Sequence, residues 1–202
     1  MLHVGDIDGS TKRSKIQPYL DLIIPTFRQY FIPARAMAVD EAMISYRGRV
    51  SFRQYIRGKP HPWGIKAYVL VESVSGYLYS LVIYYGRETQ LLPRPDPNHT
   101  TQVVLTVAQP VFSLGYDLYT DRYYTSPTLA EELEKVGTTL TGTVISNRKG
   151  MPLAAKRKQR RRRGETHTYQ KGSMVCMEWT DKRTMLALST KHSNRMVDVP
   201  SR

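Results

Sequence analysis

Val39-Asp40-Glu41-Ala42-Met43-Ile44-Ser45-Tyr46-Arg47-Gly48-Arg49-Val50-Ser51-Phe52-Arg53-Gln54-Tyr55 joins an acid-bearing apolar run to a basic bend. Asp40 and Glu41 form a carboxylate pair inside an otherwise apolar run, flanked by Met37, Val39, Met43 and Ile44. A cationic, glycine-bent segment follows, with Arg47, Gly48, Arg49 and Arg53. Met37 to Ser45 is therefore expected to be a strand, with Asp40 half-buried in it. A half-buried acid beside arginines is costly unless it holds a cation, a proton or one of those arginines. The same pattern also suits an Asp40 that is salt-bridged or simply exposed at a strand end, because structural ion pairs mimic sites.

Upstream of this stretch, Ile16, Leu20, Ile23, Ile24 and Phe27 recur at helical spacing, so Ile16 to Tyr30 is predicted to be an amphipathic helix. Pro18 falls in its first turn, where proline is tolerated. Pro25 is expected to kink or end it. Beyond the opening stretch, Phe52 to Ile56 is short and extended, and Gly58, Pro60 and Pro62 make a loop. Lys66 to Val74 is predicted to be a buried strand, with Ile65, Ala67, Val69 and Val71 on one face and Tyr68 and Leu70 on the other. Ser75-Gly76 turns it into a hairpin partner ending at Tyr85. Prolines make Leu91 to His99 a surface loop, and the valines of Thr100 to Phe112 recur at helical spacing.

Tyr116 to Tyr124 is the next predicted strand and carries Asp121. Ser126-Pro127 starts a helix, with Ser126 as N-cap and proline at the first helical position. The helix runs from Thr128 to Val136, and Gly137 ends it. Thr138 to Ile145, Tyr169 to Trp179 and Arg183 to Ser189 are predicted strands.

Composition narrows the function classes. The chain has 202 residues, 41% of them hydrophobic, which suffices for a real core. A formal net charge of +13 points to a polyanionic partner, nucleic acid first and acidic membrane second. The excess is concentrated. Ser146 to Arg163 holds Arg148, Lys149, Lys156, Arg157, Lys158, Arg160, Arg161, Arg162 and Arg163 and no acid. This run suits a nuclear localisation signal, a DNA-backbone contact or a solvated loop. One cysteine, Cys176, excludes a disulfide framework or a zinc cluster within the chain and is expected to be a buried structural thiol. No apolar run approaches a bilayer span, so the expectation is an intracellular protein acting in the nucleus.

Helix, three strands, helix, strand, helix, strand and two more strands give an α/β domain with a mixed sheet. That order is also the order of the ribonuclease-H-like fold, in which the first and fourth strands are neighbours. Asp40 and Asp121 would then sit on adjacent strands and share divalent metal for phosphodiester chemistry. Carboxylates suit Mg²⁺, a hard ion that prefers oxygen ligands.

Longer motifs carry a resemblance. Val39-Asp40-Glu41-Ala42-Met43, then Tyr46 through Ile56, Gly58-Lys59-Pro60 and Trp63-Gly64-Ile65-Lys66, resemble the first catalytic block of piggyBac-type transposases. Tyr119-Thr120-Asp121-Arg122-Tyr123-Tyr124-Thr125-Ser126-Pro127 resembles the second. Gly142-Thr143-Val144 with Asn147-Arg148-Lys149-Gly150-Met151-Pro152 resembles the segment after it. The likeness runs from about Lys15 to the C-terminus, so residues 1–14 are expected to be a loop or linker, and 15–202 the transposase core with a basic insertion loop around 146–167.

The resemblance implies a DDE/D transposase catalytic core with a ribonuclease-H-like sheet flanked by helices. That family cuts transposon ends with divalent metal, Mg²⁺ or Mn²⁺, forms DNA hairpins and inserts at TTAA sites. Asp40 matches the first catalytic, metal-binding aspartate and Asp121 the second. Arg47, Arg49, Arg53 and the basic residues from Arg148 to Arg163 match DNA contacts, as their charge suggests independently. The family's third aspartate follows a Gly-Gly-Val-Asp-type motif that does not occur here. Asp181 and Asp198 lack its context and are expected at the surface. The expectation is thus a fragment or decayed copy, its sheet incomplete at the C-terminal end, inactive alone as an enzyme, from a parent with a possible homodimeric form. A domesticated, non-catalytic DNA- or chromatin-binding protein is the alternative.

His61, His99, His167 and His192 lack ligand spacing. Trp63 and Trp179 fall among sheet residues and are expected to pack in the core or a hairpin rather than to stack on bases. Tyr123 and Tyr124 either line a DNA groove or divide, with one facing the core.

Overall fold

Alternating and helically spaced apolar residues collect into two compact units, Met1–Pro110 and Val111–Arg202. The structure is a computed structural model that describes residues 13, 16–93, 98–156 and 162–195. Both units combine sheet and helix, as the expected α/β class requires.

In the first unit, α1 (Gln17–Tyr30) precedes β1 (Ala36–Ser45), β2 (Gln54–Tyr55), β3 (Trp63–Glu72), β4 (Leu78–Ile83) and α2 (His99–Ala108). β3 is the hub. It pairs antiparallel with β1 from Met37↔Glu72 to Ser45↔Gly64, with β4 along its second half and with β2 at its first two residues. The predicted two-faced pattern is present. Ile65, Ala67 and Val69 cluster with Phe52, Ile83 and Tyr85 beneath Ile16 and Leu20. On the other face Tyr68 Oη meets His99 Nε2 of α2 at 3.2 Å. The valines of α2 are fully buried, so packing overrides their low helix propensity. Asn98 caps α2 by accepting from the Thr100 N–H. The helix ends at Ala108 and only a single 3₁₀ turn, Gln109–Val111, continues it toward Phe112.

Pro25 does not end α1. Contacts on both sides of it hold the helix. Leu20 lies on the sheet cluster, the Tyr77 hydroxyl donates to Phe27 O at 3.0 Å, and the Phe31 and Tyr77 rings stack at 4.1 Å. Thr26 Oγ1 donates to Ile23 O at 2.6 Å within the same turn. The β3–β4 hairpin turns on Glu72, whose carboxylate is buried yet accepts from Ser75 N, Ser75 Oγ and Val74 N.

The second unit contains β5 (Asp117–Thr120), α3 (Pro127–Lys135), β6 (Thr139–Thr143), α4 (Leu153–Lys156), β7 (Thr166–Lys171), β8 (Met174–Thr180) and β9 (Thr184–Ser189). β5 and β6 are parallel and joined through α3, and β6, β9, β8 and β7 follow as antiparallel neighbours. Ser126 caps α3 as predicted, its Oγ accepting from Leu129 N at 3.1 Å. Gly137 leaves the helix at φ +63°, a conformation glycine adopts without penalty.

Two strand expectations change. The predicted strand Tyr169 to Trp179 is a hairpin: Gly172, at φ +58°, and Ser173 form a turn between β7 and β8. The predicted strand Tyr116 to Tyr124 stops at Thr120, because residues 122–124 form a turn. β5 is anchored from inside, since buried Asp117 accepts from Thr139 Oγ1 at 2.8 Å and pairs with Lys191 at 2.5 Å.

Candidate functional site

β1 alternates, and that alternation separates its two acids. Asp40 stands opposite Val69 and Glu41 opposite Tyr68. Glu41 is partly buried and pairs with Lys66 at 3.3 Å. Asp40 is exposed in the middle of the strand rather than half-buried. Its Oδ1 accepts from the Glu41 N–H at 2.8 Å. No ion pair joins it to an arginine among the described residues, so the arginine-paired reading of this acid is corrected.

Asp121 is the first residue after β5, not an interruption of it. It is exposed, and its Oδ1 accepts from Tyr123 N at 2.9 Å, the geometry of an Asx turn. Its carbonyl accepts from Tyr124 N, Thr125 N and Thr125 Oγ1. Thr125 is fully buried and also reaches back to Thr120. β6 closes tightly on this corner, because a Cβ at Gly142 would collide with Thr120 O and Thr125 Oγ1. Tyr124 is buried completely while Tyr123 is 45% exposed, so the pair divides between core and surface.

The candidate cations differ in how they are held. Arg47 and Arg49 are exposed in the bend after β1. Arg53 is partly buried and fixed: Nη1 donates to Arg47 O at 3.2 Å and Gly48 O at 3.4 Å, and the guanidinium lies 4.8 Å over the Trp63 ring. Arg148 is likewise not a free arm, since Nη2 donates to the carbonyls of Arg122 and Tyr123 just past Asp121. Lys149 and Lys156 are exposed. Arg162 and Arg163 are exposed too, although Arg163 Nε pairs with Asp181 at 2.5 Å. Arg157, Lys158, Arg160 and Arg161 lie outside the described residues.

Trp63 and Trp179 are 48% and 44% exposed, so neither is a core residue, while Trp63 packs across the β2–β3 hairpin on Tyr55. They sit at strand ends, where one edge of the ring has no neighbouring layer to meet. Trp63 borders a cleft of about 490 Å³ with Ser45, Arg47, Arg53, His61 and Pro62, a feature the sequence reading missed. The clue was the Arg53-Gln54-Tyr55 and Pro62-Trp63 pairing across a proline loop. In the second unit a cleft of about 280 Å³ runs from Arg122 past Thr143–Ser146 to Thr184–Leu186. Cys176 is buried as expected, and burial, reinforced by Glu178, pushes its thiol up to about 11.

A divalent cation takes hard oxygen donors, and Asp40 and Asp121 fit as donors. In each, one oxygen is fixed by a neighbouring main-chain N–H, and the second has no hydrogen bond among the described residues. Within those residues no group of three or more His, Cys, Asp and Glu side chains gathers.

Comparison with known proteins gives a consistent result. A protein-family model described as Transposase IS4 matches residues 2–202. The human PiggyBac transposable element-derived protein 3 is 27% identical over 207 residues, covering 94% of this chain and 33% of that protein. The human Chimeric ERCC6-PGBD3 protein is 27% identical over the same length, covering 94% of this chain and 18% of its own. A cryo-EM structure of a piggyBac transposase synaptic complex with hairpin DNA matches with a TM-score of 0.83 and 26% identity, over 94% of this chain and 40% of that one. The chain thus spans about a third of the first relative.

Proposed function

Because the chain belongs to the Transposase IS4 family and is of the piggyBac type, we propose that it is the DNA-handling part of a DDE/D transposase core, ribonuclease-H-like in fold. In this reading Asp40 and Asp121 are catalytic carboxylates and ligands of Mg²⁺ or Mn²⁺. When bound, such ions activate the attacking oxygen and stabilise the leaving oxygen of a phosphodiester. The chain's own contribution is to fix one oxygen of each acid against the main chain and leave the other directed to solvent. Arg47, Arg49, Lys149, Lys156, Arg162 and Arg163 contact DNA phosphates, with Arg157, Lys158, Arg160 and Arg161 between them in sequence. Arg53 and Arg148 belong to the same cationic surface but also organise the chain beneath it. The protein acts in the nucleus.

One observation carries the proposal. The two motif acids, each expected from sequence, are both exposed carboxylates held by a main-chain N–H in a fold that matches the DNA-bound transposase at a TM-score of 0.83. A formal net charge of +13 and the match to a transposase solved with hairpin DNA both favour nucleic acid as the polyanion.

The test is binding and cutting of a duplex carrying a TTAA-flanked transposon-type end, with the chain and its Asp40→Ala and Asp121→Ala variants. Tight binding that weakens steeply with salt, without nicking in Mg²⁺ or Mn²⁺, is the expected result. Nicking lost in both variants would show that the chain assembles a complete site by itself. Absence of salt-sensitive binding would overturn the reading.

A further inference from the structure

We propose that the cleft lined by Ser45, Arg47, Arg53, His61, Pro62 and Trp63 holds one unpaired nucleotide of a bound strand, its base against Trp63 and its phosphate on Arg47. This rests on the DNA-binding reading above and adds a single-strand subsite to it.

Strand β3 opens with an aromatic side chain that the core does not use. Trp63 is 48% exposed, and Tyr55, paired with it across the β2–β3 ladder, is 55% exposed. Their rings meet at 4.9 Å with planes inclined by 53° and form an aromatic corner. Arg53 closes the corner from above, 4.8 Å over the Trp63 ring. The carbonyls of Arg47 and Gly48 hold that guanidinium, so its charge is already in place before any ligand arrives.

The lining decides the ligand. Among the described residues its polar groups are two guanidiniums, an imidazole and a hydroxyl, and no described carboxylate borders the cleft. Cationic donors select an anion, and arginine suits phosphate geometry in particular. A bare phosphate would leave the aromatic corner unused, and a neutral aromatic ligand would leave the arginines unused. A nucleotide uses both. The cleft volume of about 490 Å³ lies within the range of small-ligand pockets and cannot admit a duplex. Bases in a duplex have both faces stacked on neighbours, so only an unstacked base can offer a face to Trp63. The cleft opens at the end of β1, five residues beyond Asp40 and so about 17 Å along the strand. A strand whose scissile phosphate lay at Asp40 would therefore place a nucleotide a few positions away in the cleft.

The chain has two tryptophans, so Trp179→Phe leaves Trp63 as the sole indole reporter. In that background an eight-nucleotide oligo-dT, a duplex of equal length and free dTMP are each titrated at fixed salt. Oligo-dT is expected to quench Trp63, and dTMP at equal concentration to leave it unchanged. Read by the anisotropy of labelled oligonucleotides, Trp63→Ala should weaken oligo-dT binding about five-fold or more and duplex binding less than two-fold. Trp63→Phe, which keeps a flat ring, should retain most of the affinity, and it decides the matter if the alanine variant fails to fold. Oligo-dT binding without quenching, or equal losses for both nucleic acids, overturns the cleft assignment while leaving DNA binding standing. Equal quenching by dTMP overturns the strand as its source. Failure of both oligonucleotides to bind overturns this inference together with the DNA reading.

Discussion

Arg148 sits in the basic run, yet its guanidinium is committed to the main chain at Arg122 and Tyr123. A hydrogen bond to a charged group is worth about 1.5–3 kcal/mol, and less at an exposed site such as this one, where water can replace the lost donor. Arg148→Ala is therefore expected to lower stability by roughly 1–3 kcal/mol in urea denaturation. Arg148→Lys should recover only part, because a flexible ammonium is not held in place as the planar guanidinium is. A second residue-scale expectation concerns Cys176. With its thiol raised to about 11, it should resist iodoacetamide at pH 8 while folded and react promptly once unfolded. Comparable rates in the two states would contradict its burial. At this scale the sequence was informative where chemistry is local. Ser126 as the cap of α3 and the burial of Cys176 were legible from residue type and neighbours. The exposure of Asp40 and Trp63 was not, because it depends on what lies opposite each side chain, and a single strand's alternation does not reveal that.

Among the elements, β5, β6 and the start of α3 form the corner that presents Asp121. Gly142 permits the close approach of β6 to Thr120 and Thr125. Gly142→Ala should cost about 1–3 kcal/mol by overpacking, read as a lower denaturation midpoint, while the far end of β6 at Thr139 is undisturbed. The β3–β4 hairpin provides a pH-dependent counterpart. Hydrogen bonds from the Ser75 hydroxyl and N–H hold the Glu72 carboxyl below its ordinary value. The unfolded chain titrates it near about 4.3, so its contribution is fully present above that pH and is lost as pH falls through the lower folded value. Glu72→Gln should be less stable at neutral pH and show a flatter loss of stability on acidification below about pH 4. An unchanged acid titration would remove Glu72 from that account. Helix and strand existence was readable from periodicity and turn residues. The Gly172-Ser173 turn was overlooked because the residues on both sides are strand formers, and a two-residue hairpin interrupts the apolar pattern only briefly. Pro25 was expected to kink or end the helix because local sterics say so. Contacts made by Leu20 and Phe27 with the rest of the first unit outweigh them.

For the whole molecule, the charge of +13 and the order of the motif blocks were the legible features. The division at Pro110–Val111 was not, since no polar or Gly/Ser-rich linker marks it and buried residues stand on either side, Ala108 and Val111. Charge makes a quantitative expectation possible. Each phosphate neutralised on a duplex contributes about −0.9 to the slope of log K against log salt. Arg47→Ala with Arg49→Ala should therefore flatten that slope by roughly 1–2, while substituting the core-facing Leu70 by another aliphatic residue should not change it. A slope unaffected by both arginine changes would place duplex contacts elsewhere on the surface.

The way Asp40 and Asp121 are held has an evolutionary consequence. In both, the carboxylate leans on a peptide N–H that any residue except proline supplies. The side chains at Glu41 and Tyr123 can thus change, to anything but proline, without removing the N–H on which each aspartate leans.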